Sequence, residues 1–345
     1  MTGLKVLQEP KKKSRIGQIW AIAAGKGGVG KSTVSVQLAL ALKEQGYKVG
    51  LLDADIYGPS LEQMLPEGME PIEDLEDPEK LLPGLALGIP FVSVAHFKKK
   101  ASIVRAPIAN QIIEQFLTIV EWGELDYLLI DFPPGTGDIQ LTLMQKAQIS
   151  AAIMVTTPQV VATLDVSKAI QLFQKMEIPV LGVLENMSFF EQEGKKVFPF
   201  GQGGAKILST EFSIPILGEI PLDPEVSESG DKGVALRSDA SSAKAFKETL
   251  ITILDLEKKL SNEVIEVREL DPQNIEIQFD RTWHTLSLHQ IQKQCRCAAC
   301  ERGKKSDPSV SLLEFSPVGR YAIRFKFSSG CSQGIYPFTL LKNLV

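Results

Sequence analysis

The chain has 345 residues, of which 44% are hydrophobic and 23% are charged, and its net charge is −5. This length predicts about two domains, and the acidic balance argues against binding to nucleic acid or to an anionic membrane surface. The sequence contains no run of about 18 apolar residues that would cross a membrane. Residues 1–15 lack the apolar core of a secretory signal, so we expect a flexible lead-in and a cytoplasmic protein.

A strand, a glycine-rich loop and a helix follow this lead-in. The apolar run Ile19–Ala23 predicts a buried strand, and helical apolar spacing predicts a helix over 32–45. The loop between them, Gly25–Ser32, has the Gly-x4-Gly-Lys-Ser spacing of a phosphate-binding loop. Its backbone N–H groups would face a polyphosphate, the Lys31 ammonium would reach the outer phosphates, and Ser32 would offer a hydroxyl to Mg2+.

Short apolar runs then alternate with helical patterns. The runs are continuously apolar, which indicates burial on both faces and predicts an α/β fold with a mostly parallel sheet flanked by helices. We expect an irregular, acid- and proline-rich excursion over 65–90 and a closing helix over 241–260. The other strands are predicted at 48–53, 127–131, 151–156 and 179–184, and the other helices at 107–121, 138–147, 162–176 and 203–211.

Polar side chains stand at the ends of these strands. Asp53 and Asp55 end one strand, and Asp131 ends another in the Walker B pattern. Carboxylates at the carboxyl ends of parallel strands can hold Mg2+ and attacking water beside a phosphate loop, although a lone aspartate there is often a helix cap. Asn186 follows the strand 179–184 and could bond a purine edge, with adenine favoured because no guanine motif is found; an ordinary turn asparagine is the alternative.

The pattern changes after residue 262. Alternating segments at 263–270, 274–280, 310–316 and 320–327 predict antiparallel strands. The sequence therefore predicts a P-loop domain over 16–260 and a small β-rich, metal-binding domain over 263–345.

All four cysteines lie in this second domain. Three thiolates on one loop and a fourth from a distant strand could form a closed tetrahedral site, as structural zinc prefers. An iron–sulfur cluster and unliganded thiols are the alternatives. The four candidate ligands are Cys295, Cys297, Cys300 and Cys331.

The motifs Gly25–Thr33, Asp53–Ser60 and Asp131–Asp138 resemble the Mrp/ApbC family of iron–sulfur cluster carriers. These are deviant Walker A ATPases related to MinD and ParA. The resemblance implies ATP and Mg2+ as cofactors and a homodimer in which the signature lysine, Lys26, reaches the partner's nucleotide. It further implies a water-positioning role for Asp55, so that the catalytic set is Lys26, Lys31 and Asp55.

The same resemblance implies the remaining contacts of nucleotide and Mg2+. The metal would be held by Ser32, Asp53 and Asp131. The nucleotide would be bound by Gly25, Lys26, Gly27, Gly28, Val29, Gly30, Lys31, Ser32, Thr33 and Asn186.

The chain departs from this family after Met187. Most members carry Cys-x-x-Cys there, which bridges a 4Fe–4S cluster between subunits, but this chain has Ser188 and no cysteine. The run Gly194–Gly201 resembles the plastid high-chlorophyll-fluorescence scaffold branch of the family. The C-terminal domain resembles the γ-butyrobetaine-hydroxylase-like N-terminal domain, in which the fourth ligand is commonly histidine; Cys331 takes its place here.

The resemblance implies an ATP-hydrolysing carrier that delivers clusters to apo-proteins, with slow, switch-like turnover. Two alternatives stay open at this point. A MinD/ParA-like positioning ATPase would act on a membrane or on DNA, and it would need a basic surface that this acidic chain does not suggest. A regulatory adaptor would have lost cluster transfer and would use the cysteine domain to bind a partner.

Overall fold

The computed structural model describes residues 16–56, 58–65, 70–73, 80–94, 96, 119–135, 137–262, 266–279, 282–295, 300, 308–318, 322–331 and 334–345. These residues form two compact units, Lys13–Leu254 and Asp255–Val345, and the division falls within one long helix. No helix among the described residues is both long and apolar enough to cross a bilayer.

The first unit contains twelve described strands and seven described helices. The strands are β1 (Ile16–Ala24), β2 (Val49–Asp53), β3 (Ile72–Glu73), β4 (Leu81–Leu82), β5 (Gly84–Ala86), β6 (Ile89–Ser93), β7 (Leu125–Asp131), β8 (Ala151–Thr156), β9 (Val180–Glu185), β10 (Phe190–Gln192), β11 (Lys195–Val197) and β12 (Ile216–Glu219). The helices are α1 (Lys31–Glu44), α2 (Leu61–Met64), α3 (Asp138–Lys146), α4 (Val160–Lys175), α5 (Gly204–Phe212), α6 (Pro224–Lys232) and α7 (Ser241–Asn262).

Eight of the strands form one sheet in the order β12-β9-β8-β1-β7-β2-β6-β5, in which β5 alone runs antiparallel to its neighbour. The central strands are buried on both faces; Trp20 and the four residues after it in β1 are fully buried. Burial on both faces explains the continuous apolar runs, since a strand covered by helices on each side has no polar face. The predicted mostly parallel, helix-flanked sheet is confirmed.

The prediction of an irregular excursion over 65–90 is wrong in its second half. There β6 pairs in parallel with β2, and β5 folds back onto β6 as a hairpin. β6 escaped prediction because Pro90, which is uncommon inside a strand, interrupts its apolar run. The predicted helix over 107–121 lies outside the described residues except at its last three positions.

The second unit contains two three-stranded antiparallel sheets, β13-β14-β15 and β16-β17-β18. The predicted β-rich region is confirmed, and β14 alternates half-buried and buried positions as its sequence requires. Phe325, Phe327 and Tyr336 are fully buried at the centre of its core. Its elements are β13 (Val267–Asp271), β14 (Asn274–Phe279), β15 (Thr282–Ser287), α8 (Leu288–Lys293), β16 (Leu312–Val318), β17 (Ala322–Phe327), β18 (Gly334–Pro337) and α9 (Phe338–Lys342).

Candidate functional site

The phosphate loop follows β1 and leads into α1, whose first residue is Lys31. Gly28 and Gly30 have left-handed φ values of +80° and +79°, which favour glycine. Gly25 packs against α4, since a methyl group on it would come within 2.1 Å of the carbonyl carbon of Asp165. No described atom lies within 4 Å of a methyl group placed on Gly28. The loop therefore folds tightly onto α4 and leaves room for an anion at the start of α1.

Asp53 and Asp131 end neighbouring strands at the same level of the sheet. β2 and β7 are parallel, and the Cα partner of Asp53 is Asp131. β1, which leads into the phosphate loop, lies on the other side of β7. Both carboxylates are completely buried. The structure thus brings the two acids and the loop to one edge of the sheet, where ligands bind in folds of this kind.

Asp131 is held by three side chains of α1. Its Oδ2 lies 2.7 Å from Lys31 Nζ and accepts a 2.7 Å hydrogen bond from Ser32 Oγ. Its Oδ1 accepts a 2.7 Å hydrogen bond from Ser35 Oγ. Lys31 is only 7% exposed, so the ion pair is shielded from water. Sequence reasoning missed Ser35, although it lies one turn after Lys31 on the same helix face.

The turn after β2 adds a second set of hydrogen bonds. Ser60 Oγ donates to Ser32 Oγ over 2.7 Å, so a chain of hydroxyls leads to Asp131. The buried Asp55 donates its backbone N–H to Asp53 Oδ1 over 3.1 Å, and its own Oδ1 accepts from the N–H of Gly58. Oxygen donors from Ser32, Asp53 and Asp131 are the ligand type that Mg2+ prefers, so the residues present fit that ion.

Burial raises the pKa of Asp53 from 3.8 to about 7, and the nearby charge of Asp131 adds to the shift. The backbone N–H of Asp55, the charge of Lys31 and a hydrogen bond from Ser93 oppose it only in part. Asp53 thus holds a proton near neutral pH unless a cation takes the proton's place.

We expect Asp53 to make the nucleotide-free protein less stable as pH rises from about 4 to about 7. In this window the folded state keeps a proton that the unfolded state has lost, so the free energy of unfolding falls with pH. Denaturant unfolding at several pH values should show a shallower fall for Asp53→Asn, which stays neutral throughout, than for the wild type. The exposed Asp231→Asn is the control and should retain the wild-type slope; equal slopes for all three proteins would contradict the assignment.

Asn186, just beyond β9, supports the phosphate loop. Its Nδ2 donates a 2.9 Å hydrogen bond to the carbonyl oxygen of Val29, and the side chain is buried. A methyl group on Gly30 would come within 2.1 Å of this nitrogen. The purine contact stays a prediction; because Nδ2 is engaged, Oδ1 is the atom that would accept from an adenine amino group.

Lys26 differs from Lys31 in its surroundings. It is half-buried, and it forms no hydrogen bond or ion pair with any residue that the structure describes. Among the other predicted loop residues, Val29 is buried, Thr33 is half-buried and Gly27 is exposed. The ammonium of Lys31 is therefore paired with Asp131, whereas the ammonium of Lys26 has no partner among the described residues.

Ser188 occupies the position where most members of the family that the sequence resembles carry their first cluster cysteine. It is 1% exposed, and its hydroxyl donates a 2.7 Å hydrogen bond to Glu185 Oε1. The other carboxylate oxygen of Glu185 accepts from the backbone N–H of Ala205. The position is therefore a polar link between β9 and α5, and serine oxygen does not replace a thiolate as an iron–sulfur ligand.

Three of the predicted cysteine ligands come together in the second unit. The sulfur atoms of Cys295, Cys300 and Cys331 all lie within 4.8 Å of one another, and the first and last are 3.4 Å apart. None of the three forms a disulfide with a described residue, and Cys331 is buried. Cys297 lies outside the described residues. The three sulfurs converge closely enough to bind a single metal ion.

Tyr336 and Gly334 lie at this cluster. Both belong to a motif on which the resemblance of the C-terminal domain rests, but sequence reasoning gave neither a role in the site. A methyl group on Gly334 would come within 2.8 Å of the Tyr336 hydroxyl and within 2.9 Å of Cys295 Sγ. Burial raises the pKa of Tyr336 far above its usual value, with the neighbouring thiols adding to the shift, so the hydroxyl keeps its proton.

The sheet order, the glycine loop and the buried carboxylates define a P-loop NTPase of the MinD/ParA-like class. Residues 15–255 match the family described as NUBPL iron-transfer P-loop NTPase, and residues 265–342 match the γ-butyrobetaine hydroxylase-like N-terminal family. The chain belongs to the iron-transfer P-loop NTPase family.

Two curated relatives support this assignment, and the first extends over both parts of the chain. The chain is 36% identical to the chloroplastic Fe-S cluster assembly factor HCF101 of Arabidopsis thaliana, with 96% of this chain and 65% of that protein covered. It is 48% identical to the iron-sulfur cluster carrier protein of Deinococcus radiodurans, with 61% of each covered. This chain thus spans less than two thirds of the length of either relative. These matches confirm the predicted resemblance, including its plastid branch.

Solved structures support the fold. A nucleotide-binding protein of Archaeoglobus fulgidus in complex with ADP is 38% identical to the chain, with a TM-score of 0.57 over 67% of this chain and 93% of that one. The septum site-determining protein MinD of Pyrococcus horikoshii, complexed with Mg-ADP, has a TM-score of 0.52 at 23% identity over 72% of this chain and 99% of that one. The second likeness shows the fold alone.

Proposed function

We propose that the chain is a Mg-ATP-dependent carrier or assembly factor for iron–sulfur clusters that works as a nucleotide-switched homodimer. The buried Lys31–Asp131 pair, bonded also to Ser32 at the foot of the phosphate loop, is the observation that carries this proposal. The cargo is inferred from the names of the relatives, which are a cluster assembly factor and a cluster carrier. Residues 16–260 would form the ATPase domain and residues 263–345 the cysteine domain.

Nucleotide binding would exchange the partners of α1. The Lys31 ammonium would turn from Asp131 to the outer phosphates, and the Ser32 hydroxyl would turn from the same carboxylate to the metal. The freed carboxylate of Asp131, with Asp53, would then face Mg2+, whose charge neutralises the phosphates. Asp55 would position the attacking water. Because the buried Lys31 and the half-buried Ser32 would change partners together, the site would have two discrete arrangements, and slow hydrolysis would switch between them.

Lys26 and the start of α4 are the proposed contact with a second copy of the chain. Val160, Val161 and Leu164 are 60%, 68% and 63% exposed on the first turns of this helix. Gly25 packs directly against the backbone of Asp165 in the same helix, so the loop that carries Lys26 adjoins this helix. An unpartnered ammonium on a loop that adjoins a helix with exposed aliphatic side chains fits a surface that becomes covered when two nucleotide sites face each other.

We expect Leu164→Glu to abolish ATP-dependent dimerisation and to leave ATP binding to the monomer within about twofold. A carboxylate would be buried without a partner in the proposed interface, which is costly. Sedimentation with and without Mg-ATP measures the dimer, and calorimetry measures ATP binding. The matched control is Ile72→Glu, since Ile72 is 63% exposed but lies in the short β3 strand. A dimer that persists in Leu164→Glu, or that is lost equally in the control, would contradict the proposed surface.

The thiolates of the cysteine domain would hold the chain's own metal. Their sulfurs, all within 4.8 Å, suit one tetrahedral ion, and zinc is the ion we propose, with Cys297 as the fourth ligand. A 4Fe–4S cluster is the alternative occupant. The described cysteines form no disulfide with one another, which suits a reducing compartment, and we propose the cytoplasm as the place of action.

Ser188 favours a second candidate function, that of an adaptor which has lost cluster transfer. Its bond to Glu185 gives the usual cluster position a structural role. Anaerobic reconstitution with iron and sulfide separates the two functions. A carrier should gain the visible absorbance of a cluster and transfer it to an apo-ferredoxin in a nucleotide-dependent way. A protein that binds ATP but gains no such absorbance would overturn the carrier proposal and leave the adaptor.

A further inference from the structure

The Tyr336 hydroxyl is a buried donor that has no hydrogen-bond partner among the described residues. The side chain is 0% exposed, and its ring packs against the rings of Phe325 and Phe327 at centroid distances of 5.4 and 6.2 Å. Phenylalanine would fill the same apolar space without carrying an unpaired polar atom. A buried hydroxyl without a partner is destabilising. We therefore expect this hydroxyl to gain a hydrogen-bond acceptor in another state of the protein.

The neighbour of this hydroxyl is Cys295. Gly334 separates the two: a methyl group on its Cα would come within 2.8 Å of the hydroxyl oxygen and within 2.9 Å of Cys295 Sγ. The φ of Gly334 does not lie in the left-handed region, so its backbone conformation does not require glycine. The lack of space for a methyl group does. The backbone of β18 thus lets the tyrosine and the thiol approach each other.

We propose that Tyr336 is a positioning residue whose hydroxyl donates a hydrogen bond to the sulfur of Cys295 once that sulfur is a metal-bound thiolate. This inference rests on the metal site proposed above. A thiol is a weak acceptor, whereas a thiolate carries the charge that attracts a donor. Donors in the second shell of a metal orient its ligands and adjust their basicity. The bond would therefore form with the metal and favour the loaded state.

The proposal makes the two states respond differently to loss of the hydroxyl. In the metal-free protein, Tyr336→Phe removes an unpaired polar atom, and its midpoint of unfolding should stay the same or rise. In the loaded protein, the same change removes a hydrogen bond to a ligand, and metal affinity should fall roughly 10- to 100-fold. A role in packing alone would not produce this contrast.

The experiment uses the full chain, reduced and freed of metal with a chelator. Zinc affinity is measured by competition with a chromophoric chelator, and Co2+ is bound separately so that the sulfur-to-cobalt charge-transfer band reports on the thiolates. Tyr47→Phe makes the same chemical change at a half-buried tyrosine of the first unit and serves as the control. We expect weaker zinc binding and a shifted cobalt band in Tyr336→Phe and wild-type values in Tyr47→Phe.

A second variant tests the same hydrogen bond independently, in case Tyr336→Phe does not fold. Gly334→Ala keeps the tyrosine but places a methyl group between the hydroxyl and Cys295 Sγ, so it should also weaken zinc binding. Wild-type affinity and an unshifted band in Tyr336→Phe would overturn the inference and leave the metal site intact. Equal destabilisation of the free and loaded forms would overturn it as well. If the wild type binds neither Zn2+ nor Co2+, the metal site itself fails.

Discussion

Lys31→Ala is expected to destabilise the nucleotide-free protein by about 3–5 kcal/mol, as removal of one partner from a buried ion pair does. The carboxylate of Asp131 is completely buried, and only the hydroxyls of Ser32 and Ser35 would remain to support its charge. The same change should weaken ATP binding about 10- to 100-fold, the loss of a charged hydrogen bond to phosphate. Denaturant unfolding and calorimetry measure the two effects separately.

A double variant tests whether the two effects have separate causes. Lys31→Ala combined with Asp131→Asn removes the unpaired charge, so most of the stability should return while ATP binding stays weak. The control is Lys26→Ala, because Lys26 has no partner among the described residues and its loss should leave stability unchanged. An unchanged ATP affinity in Lys31→Ala would refute the nucleotide site. Unchanged stability would show instead that Asp131 does not depend on this cation.

The sheet was predictable because burial leaves a direct trace in the sequence. Runs such as Leu128–Ile130 and Ile19–Ala23 are apolar at every position, as expected of a strand covered on both faces. β5 and β6 left no such trace, because β5 is an edge strand of only three residues and Pro90 interrupts the apolar run of β6. The spacing of a motif likewise placed Lys31, Ser32 and Asp131 in one site, since parallel strands end at a common edge.

The partners within the site were less accessible to sequence reasoning. Nothing in a motif says that Lys31 pairs with Asp131 before a nucleotide arrives, or that Ser60 joins the same network from another turn. The sequence shows that position 188 is serine and not cysteine. The hydrogen bond from Ser188 to Glu185, however, depends on how the chain turns after β9. Tyr336 and Gly334 in β18 approach Cys295, which follows α8, only through the tertiary packing of the second unit. Local spacing predicts ligands, whereas their supports come from the tertiary fold.

Cys331→Ser is expected to remove the metal and to unfold the second unit at a lower temperature while ATP binding stays unchanged. Cys331 is 2% exposed within the apolar core of this unit, so a hydroxyl in its place is both a poor ligand and an unpaired buried group. Structural zinc sites contribute roughly 10–16 kcal/mol of apparent binding free energy in small domains. Fluorescence of Trp283, in β15, follows the unit, and calorimetry follows ATP binding.

The control for this prediction is Leu313→Ser, which shortens a side chain of the same unit at a position that is 61% exposed. It should keep both the metal and the unfolding temperature. If Cys331→Ser retains one metal ion per chain, the ligand assignment is refuted. If it loses the metal but its unit unfolds as before, the metal is not structural.

The identity of the metal then decides whether the cysteine site is structural or holds the cluster cargo. A zinc ion with bonds of about 2.3 Å holds its four sulfurs about 3.8 Å apart, close to the 3.4 Å between Cys295 and Cys331. In a 4Fe–4S cluster each thiolate binds a different iron, so the sulfurs stand farther apart than the 4.8 Å limit within which all three lie here. We therefore expect a colourless protein with one zinc per chain. If cluster absorbance appears after reconstitution and is lost in Cys295→Ser, the cargo is assigned to this site. If metal analysis finds neither zinc nor iron near one per chain, the metal site is refuted.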